Sequence, residues 1–163
     1  MRMRHGMRFL RVLALGAWIG AIAYFAGVVT RGAFAVLASR DEAGLLVGFT
    51  LGGLHLMGLI AAAIFVGASV ALTKSLRAFV EPAVLCVLVM AVLTIASQNY
   101  VIPKMEVLRG QMGSVAATPE SDPRRAEFDR LHAASVRIEG GVLVVGLIGL
   151  FLASRERKAA SGE

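Results

Sequence analysis

Two histidines in an otherwise apolar chain are the strongest candidates for chemistry. His55 lies inside a long uncharged stretch, and His132 lies in a polar segment just before the last apolar run. A pair of histidines can hold a b-type haem by its axial positions, and imidazole together with the thioether of Met105 or Met112 could bind copper. The chain has no ligand spacing such as HxxxH. A structural role, in which each histidine hydrogen-bonds a carboxylate or a backbone group, therefore stays open as the simpler interpretation.

Helices that cross a membrane must position these residues. The uncharged stretches 43–73 and 82–103 are the longest, and two further apolar runs lie near the ends of the chain. About 20 apolar residues cross the roughly 30 Å of bilayer hydrocarbon. With 57% hydrophobic residues, 17% charged residues and a mean hydropathy of +0.73, the 163-residue chain falls outside the soluble globular range. The sequence predicts an all-α integral membrane bundle, a single domain over 1–163 with four spans at about 12–29, 54–73, 82–102 and 135–154.

The third and fourth helices are expected to extend outward beyond the membrane. Asp122 and Pro123 form a helix-start signal well before the fourth span begins. Between the two extensions, residues 111–122 contain Gly, Ser, Thr and Pro and are typical of a mobile loop. Residues 43–53, which precede the second span, are either an interfacial turn or an outward extension of that helix.

Charge is distributed unevenly along the chain. The net charge is +6, yet the first connection (31–42) and the third (104–139) each sum to zero. The remaining charge lies on the N-terminal segment, the 74–81 loop and the C-terminal tail, which the positive-inside rule assigns to the cytoplasm. We predict an N-in, C-in protein of the cell membrane, the inner membrane in a bacterium. Its basic ends would bind anionic lipid headgroups rather than nucleic acid. These basic residues are Arg2, Arg4, Arg8, Arg11, Arg155, Arg157 and Lys158.

The polar residues of different helices come to one level near the outer face. At 1.5 Å per residue, His55 lies roughly 28 Å outward from Lys74, Asn99 roughly 25 Å from Pro82, and Glu139 roughly 24 Å from Arg155. Ionisable residues at membrane depth usually face the bundle interior or a water-filled cavity. Besides the two histidines, the predicted outer polar cluster contains Arg31, Asn99, Glu106, Asp129, Arg137 and Glu139.

Glu139 is the most deeply placed acid of this cluster. A carboxylate that faced lipid there would cost on the order of a few kcal/mol, so we expect it to face the bundle. His132, Arg31 or Asn99 could satisfy it. Two roles remain open, a packing ion pair or a proton relay.

Several segments resemble the bacterial relatives of the transmembrane protein 205-like family, a four-helix membrane domain of unknown function. The most specific is the FDRLH-x-x-S-V-R stretch at 128–137, and Ala43-Gly44 and Leu108-Arg109 are similar as well. The resemblance covers nearly the whole chain. It implies a loose grouping with copper-resistance and haem-associated four-helix membrane proteins. The chain departs from the expected pattern at Thr30-Arg31, where a proline-containing turn is expected, and at Glu139, where asparagine is expected.

Three hypotheses for function follow. The first is a haem b or copper site held by His55 and His132 near the outer face, for redox chemistry or metal handling. The second is a non-catalytic accessory subunit that packs against a membrane-protein partner or a second copy of itself. A small-solute transporter is the weakest, since the chain shows no inverted repeat. The single cysteine, Cys86, excludes an intrachain disulfide and a CxxCH haem attachment, and the sequence has no catalytic motif that indicates an enzyme.

Overall fold

The computed structural model describes the backbone of residues 2–159 and the side chains of residues 3–155. The side chains of Arg2, Arg157 and Lys158, which contribute to the predicted charge asymmetry, lie outside this range. In chain order the elements are α1 (Arg2–Tyr24), a π-helical turn (Phe25–Val29), α2 (Thr30–Val36), α3 (Arg40–Thr73), a 3-10 turn (Leu76–Val80), α4 (Pro82–Ala96), a second π-helical turn (Ser97–Val101), α5 (Ile102–Met112) and α6 (Pro123–Ala159).

The two π-helical turns join neighbouring helices without breaking them. The described part of the chain therefore contains four long helices, over 3–36, 40–73, 82–112 and 123–155, each long and apolar enough to cross a membrane. This confirms the predicted all-α four-helix bundle, including the extensions of its third and fourth helices. We call the end that carries the α2–α3 and α5–α6 connections the outer end, and the opposite end the inner end.

Local sequence signals account for the helix ends. Ser39 caps α3 by accepting a hydrogen bond from the Glu42 backbone nitrogen at 3.1 Å, and two acids follow in the first turn, where they favour the positive helix end. Pro82 starts α4, as its position after Glu81 predicts. Gly113 ends α5 with a φ of 72°, a conformation that glycine adopts without steric cost.

Each long helix packs against two others. The neighbouring pairs are α1 with α3, α3 with α4, α4 with α6, and α6 with α1, which gives an up-and-down bundle. Trp18 is 1% exposed and lies directly over Gly58, where an added Cβ would fall 2.2 Å from the Trp18 Nε1. Trp18 is thus a packing residue of the α1–α3 contact, whereas Tyr24 is 61% exposed.

Large apolar side chains cover the outside of the bundle as well as its core. Phe49, Val92 and Phe151 are among many that are more than half exposed. A soluble protein rarely exposes so much contiguous apolar surface, whereas lipid tails solvate it without cost. The exterior therefore fits contact with a lipid bilayer.

Three segments add detail to the sequence-based expectation. The first helix continues to Val36, beyond the predicted span at about 12–29, since one π-helical turn carries it past the end of the apolar run. Residues 43–53 are helical, so the outward extension is the correct alternative. The loop expected to be mobile is held by Asp41, which accepts hydrogen bonds from Ser114 Oγ at 2.5 Å and from the backbone nitrogens of Val115 and Ala116.

Candidate functional site in the bundle interior

His55 lies on the inward stripe of α3. The buried positions around it follow helical spacing, with Leu51 one turn before and Gly58 and Ala62 after it. A histidine on such a stripe must find hydrogen-bond partners inside the bundle, because no lipid group can supply them. The contact between Trp18 and Gly58 lies one helical turn inward of His55 and closes the space on that side.

Both ring nitrogens of His55 are hydrogen-bonded to side chains of other helices. Nδ1 lies 2.7 Å from the Oε1 of Gln98, and Nε2 lies 2.6 Å from the Oε1 of Glu139. The His55 side chain is 3% exposed and the Glu139 side chain 15%. The three side chains form a network that joins α3, the second π-helical turn and α6, which we call the interior triad.

The second π-helical turn determines which amide faces the bundle. Gln98 reaches His55, whereas Asn99 is exposed and donates from its Nδ2 to the Ile95 carbonyl oxygen of its own helix at 3.0 Å. A π-helical turn inserts an extra residue into the helical repeat and is frequent at functional sites. Nearby, the Ser97 Oγ is buried and has no hydrogen-bond partner among the described residues.

The sequence brings only some of the predicted site residues into the bundle. Glu139 faces inward as expected, but its partner is His55 rather than His132, Arg31 or Asn99. His132 is exposed on α6 and stacks on the Phe128 ring, with centroids 6.5 Å apart.

The other members of the predicted outer polar cluster lie on the surface. Asp129 is exposed and pairs with Arg125 of its own helix at 3.0 Å. Three other members of the cluster are exposed and have no described hydrogen bond or ion pair: Arg31, Glu106 and Arg137. Within residues 3–155, no group of three or more His, Cys, Asp or Glu side chains could hold a metal ion. The assignment of His55 and His132 as ligands stays a prediction.

Gln98 is the site residue that sequence reasoning missed. Its signal lies in the burial stripe of α4, where Val87, Met90 and Thr94 are buried at steps of three and four residues. Continuing that stripe by four residues reaches Gln98 and leaves Asn99 to one side. Asn99, which is predicted in the outer polar cluster, is the next residue along the chain, so depth does not distinguish the two amides.

A second cluster closes the outer end of the bundle. The Arg109 guanidinium lies over the Phe128 ring at 5.6 Å, and its Nη2 would be 3.4 Å from a Cβ added to Gly44. Arg125 donates to the Val115 carbonyl oxygen and so ties α6 to the loop that Asp41 holds. These contacts form an outer clasp of Asp41, Gly44, Arg109, Phe128 and the loop backbone. Segments that carry the family resemblance thus meet in a packing contact.

Fold and site together define an integral membrane four-helix protein with a buried histidine–carboxylate pair. A family model described as a domain of unknown function, DUF4149, matches residues 13–114, and the chain belongs to this family. The matched region includes His55 and Gln98 and ends before Glu139 and His132. No curated protein and no solved structure matches the chain.

Proposed function

We propose that this membrane protein binds and exchanges a proton at the interior triad. The supporting observation is the 2.6 Å contact between His55 Nε2 and Glu139 inside a bundle whose exterior is apolar. Two ionisable groups at membrane depth are costly, and such residues commonly mark proton pathways. A packing role alone would be met by two amides, without the cost of placing titratable groups there.

The triad can hold one proton in two positions. With the Gln98 Oε1 as acceptor, the His55 Nδ1–H donates to it, and this fixes the ring orientation and the tautomer. The Nε2 and the Glu139 carboxyl group then share one proton. On Nε2 the proton gives an imidazolium–carboxylate ion pair, and on the carboxyl oxygen it gives a neutral pair. The two states therefore differ in charge separation: the first places opposite charges on His55 and Glu139, and the second leaves both side chains neutral.

Access to the triad is asymmetric. The His55 side chain is 3% exposed, whereas the Glu139 side chain is 15% exposed. Protons would therefore enter and leave through Glu139, toward the outer end of the bundle. Gln98 would position the ring without carrying the proton.

A haem b or copper site at His55 and His132 has less support. Both nitrogens of His55 are engaged by Gln98 and Glu139, and His132 stacks on Phe128 at the surface. As arranged, these residues do not fit a bis-histidine site, so no step of the proposed chemistry passes through a metal or a haem. An optical spectrum with a reducible Soret band, or copper in the purified protein at one equivalent, would restore that interpretation.

An accessory-subunit role is the second candidate. Gly16 and Gly20 lie four residues apart on α1, Gly20 is exposed, and among the described residues nothing lies within 4 Å of a Cβ built at either position. Small residues at this spacing allow close approach of another helix in lipid. A membrane-protein partner or a second copy could dock there whether or not the triad carries a proton.

The membrane topology is inferred from the distribution of charge along the chain. We infer an N-in, C-in orientation in the cell membrane, with the bilayer at about 12–29, 54–73, 82–102 and 135–154, supported by the charge asymmetry. Reporter fusions after residue 155 and within 113–118 should give opposite signals.

We also infer that the chain is a bacterial relative of the transmembrane protein 205-like family, and the meeting of Gly44, Arg109 and Phe128 supports this.

Infrared spectroscopy tests the proton site. The full-length protein in lipid nanodiscs is titrated with acid, and the carbonyl stretch of protonated carboxyl groups is followed. We expect a band that disappears in Glu139→Gln and changes in His55→Asn, while Glu106→Gln, which alters an exposed carboxyl group, leaves it in place. A spectrum unchanged by Glu139→Gln would refute proton binding at Glu139 and favour a purely structural triad.

A further inference from the structure

A cavity lined by arginines opens at the inner end of the bundle, far from the interior triad. Its volume is about 280 Å³. Arg4, Arg8 and Arg11 of α1 form one wall, and their spacing of four and three residues places them on one helix face. The other described lining residues are Val12, also of α1, and four residues at or beside the inner ends of α3, α4 and α6: Leu72, Thr73, Glu81 and Ala153.

The charges in this cavity do not cancel. Among the described lining residues, Glu81 is the one acid, and it accepts a hydrogen bond from Arg11 at 3.0 Å. Arg11 is 6% exposed and also lies over the Phe65 ring, so its position is fixed by the fold. Arg4 and Arg8 make no ion pair with any described side chain. Counted over the described lining residues, the three arginines and Glu81 leave two positive charges in the cavity.

With the bilayer placed as inferred above, the cavity lies at the boundary between lipid tails and headgroups. Val12 begins the apolar run of α1, Leu72 lies just before the end of α3, and Ala153 lies near the last apolar residues of α6. An apolar floor beneath a cationic wall matches a phospholipid, whose acyl chain and phosphate are adjacent. Basic pockets between transmembrane helices are known to hold anionic headgroups.

We propose that this cavity binds the phosphate of an anionic phospholipid, with Arg4 and Arg8 as the phosphate contacts and Arg11 held in place by Glu81. The lipid would join α1 to the inner ends of the other helices. This site is independent of the proton site, since it lies at the other end of the bundle and shares no residue with it.

Native mass spectrometry of the full-length protein, released from detergent, tests the proposal. The protein is titrated with phosphatidylglycerol, with phosphatidylcholine and with inorganic phosphate. We expect selective retention of phosphatidylglycerol. Arg4→Gln/Arg8→Gln should weaken its apparent affinity about 25-fold, from a contribution of about fivefold for each basic residue. The matched control Arg130→Gln/Arg137→Gln removes two exposed arginines from α6 and should leave retention unchanged.

A second variant separates a built cavity from surface charge. Ala153→Leu adds volume at a buried position that lines the cavity and keeps every arginine. It should reduce selective retention under conditions in which circular dichroism shows that the variant is folded. Three results would each overturn the proposal. They are a loss of phosphatidylglycerol affinity in Arg130→Gln/Arg137→Gln equal to that in Arg4→Gln/Arg8→Gln, retention of phosphatidylcholine equal to that of phosphatidylglycerol, and unchanged retention of phosphatidylglycerol in Ala153→Leu. Displacement of phosphatidylglycerol by excess inorganic phosphate would assign the site to free phosphate instead. If Arg4→Gln/Arg8→Gln does not fold, the proposal is still tested by lipid selectivity in the wild type and by retention of phosphatidylglycerol in Ala153→Leu.

Discussion

Replacing Glu139 by leucine should destabilise the bundle, because the buried Nε2 of His55 would lose its partner. Hydrogen bonds between transmembrane helices contribute only about 0.6 kcal/mol on average. Leaving a buried polar group unsatisfied costs more, about 1–3 kcal/mol. His55 is 3% exposed, so water cannot replace the lost carboxylate. We therefore expect a fall of about 1–3 kcal/mol in the free energy of unfolding for Glu139→Leu, and a smaller fall for Glu139→Gln, whose amide can still hydrogen-bond the ring.

Unfolding in mixed micelles, followed by circular dichroism, measures these values. The double variant His55→Leu/Glu139→Leu removes both partners, and its loss should be smaller than the sum of the two single losses by about 0.5–3 kcal/mol. Glu106→Leu, which removes an exposed carboxylate, should stay within about 0.5 kcal/mol of wild type. The buried pair would be refuted if the losses in unfolding free energy of His55→Leu and Glu139→Leu added up to that of the double variant. It would also be refuted if Glu139→Leu were as stable as Glu106→Leu.

Three further outcomes are expected from other parts of the structure. Gly58→Ala should destabilise by about 1–3 kcal/mol in the same unfolding assay, because its Cβ would overlap Trp18; Gly53→Ala, with open space at its Cβ, should not. Asp41→Ala should speed amide hydrogen exchange in the loop that it anchors, and equal rates would refute the anchor. The hydrogen bond from the Arg124 side chain lowers the pKa of Asp122 to about 2. The ionised Asp122 therefore stabilises the start of α6 above pH 3.8, the ordinary pKa of aspartate, and this stabilisation is lost as the pH falls toward 2. Amide hydrogen exchange at the start of α6 should show this pH response in the wild type and lack it in Asp122→Ala.

The common level of His55 and Glu139 along the bundle could be predicted from the sequence. Charged residues mark the inner ends of the apolar runs, and a fixed rise per residue then brings His55 and Glu139 to one level. The 2.6 Å contact between them agrees with that expectation. Helix number followed in the same way from the length of the apolar runs.

The rotation of each helix about its axis was harder to predict. In lipid, both faces of a helix are apolar, so periodicity distinguishes the inner face weakly. The π-helical turn at 97–101 changes the phase of the third helix at the point where Gln98 and Asn99 must be distinguished. His132 is predicted in the site together with His55, yet it lies outward on the extension and stacks on Phe128.

The most direct test of the proton site is nitrogen-15 NMR of a variant in which His55 is the only histidine. The chain has three histidines, so His5→Gln/His132→Gln isolates the ring of interest. In nanodiscs, we expect its two nitrogen signals to show hydrogen bonding and to change with pH. Adding Glu139→Gln should shift the Nε2 signal and its pH response, and Glu106→Gln should not. A His55 ring whose signals neither titrate nor respond to Glu139→Gln would contradict the proposed proton site.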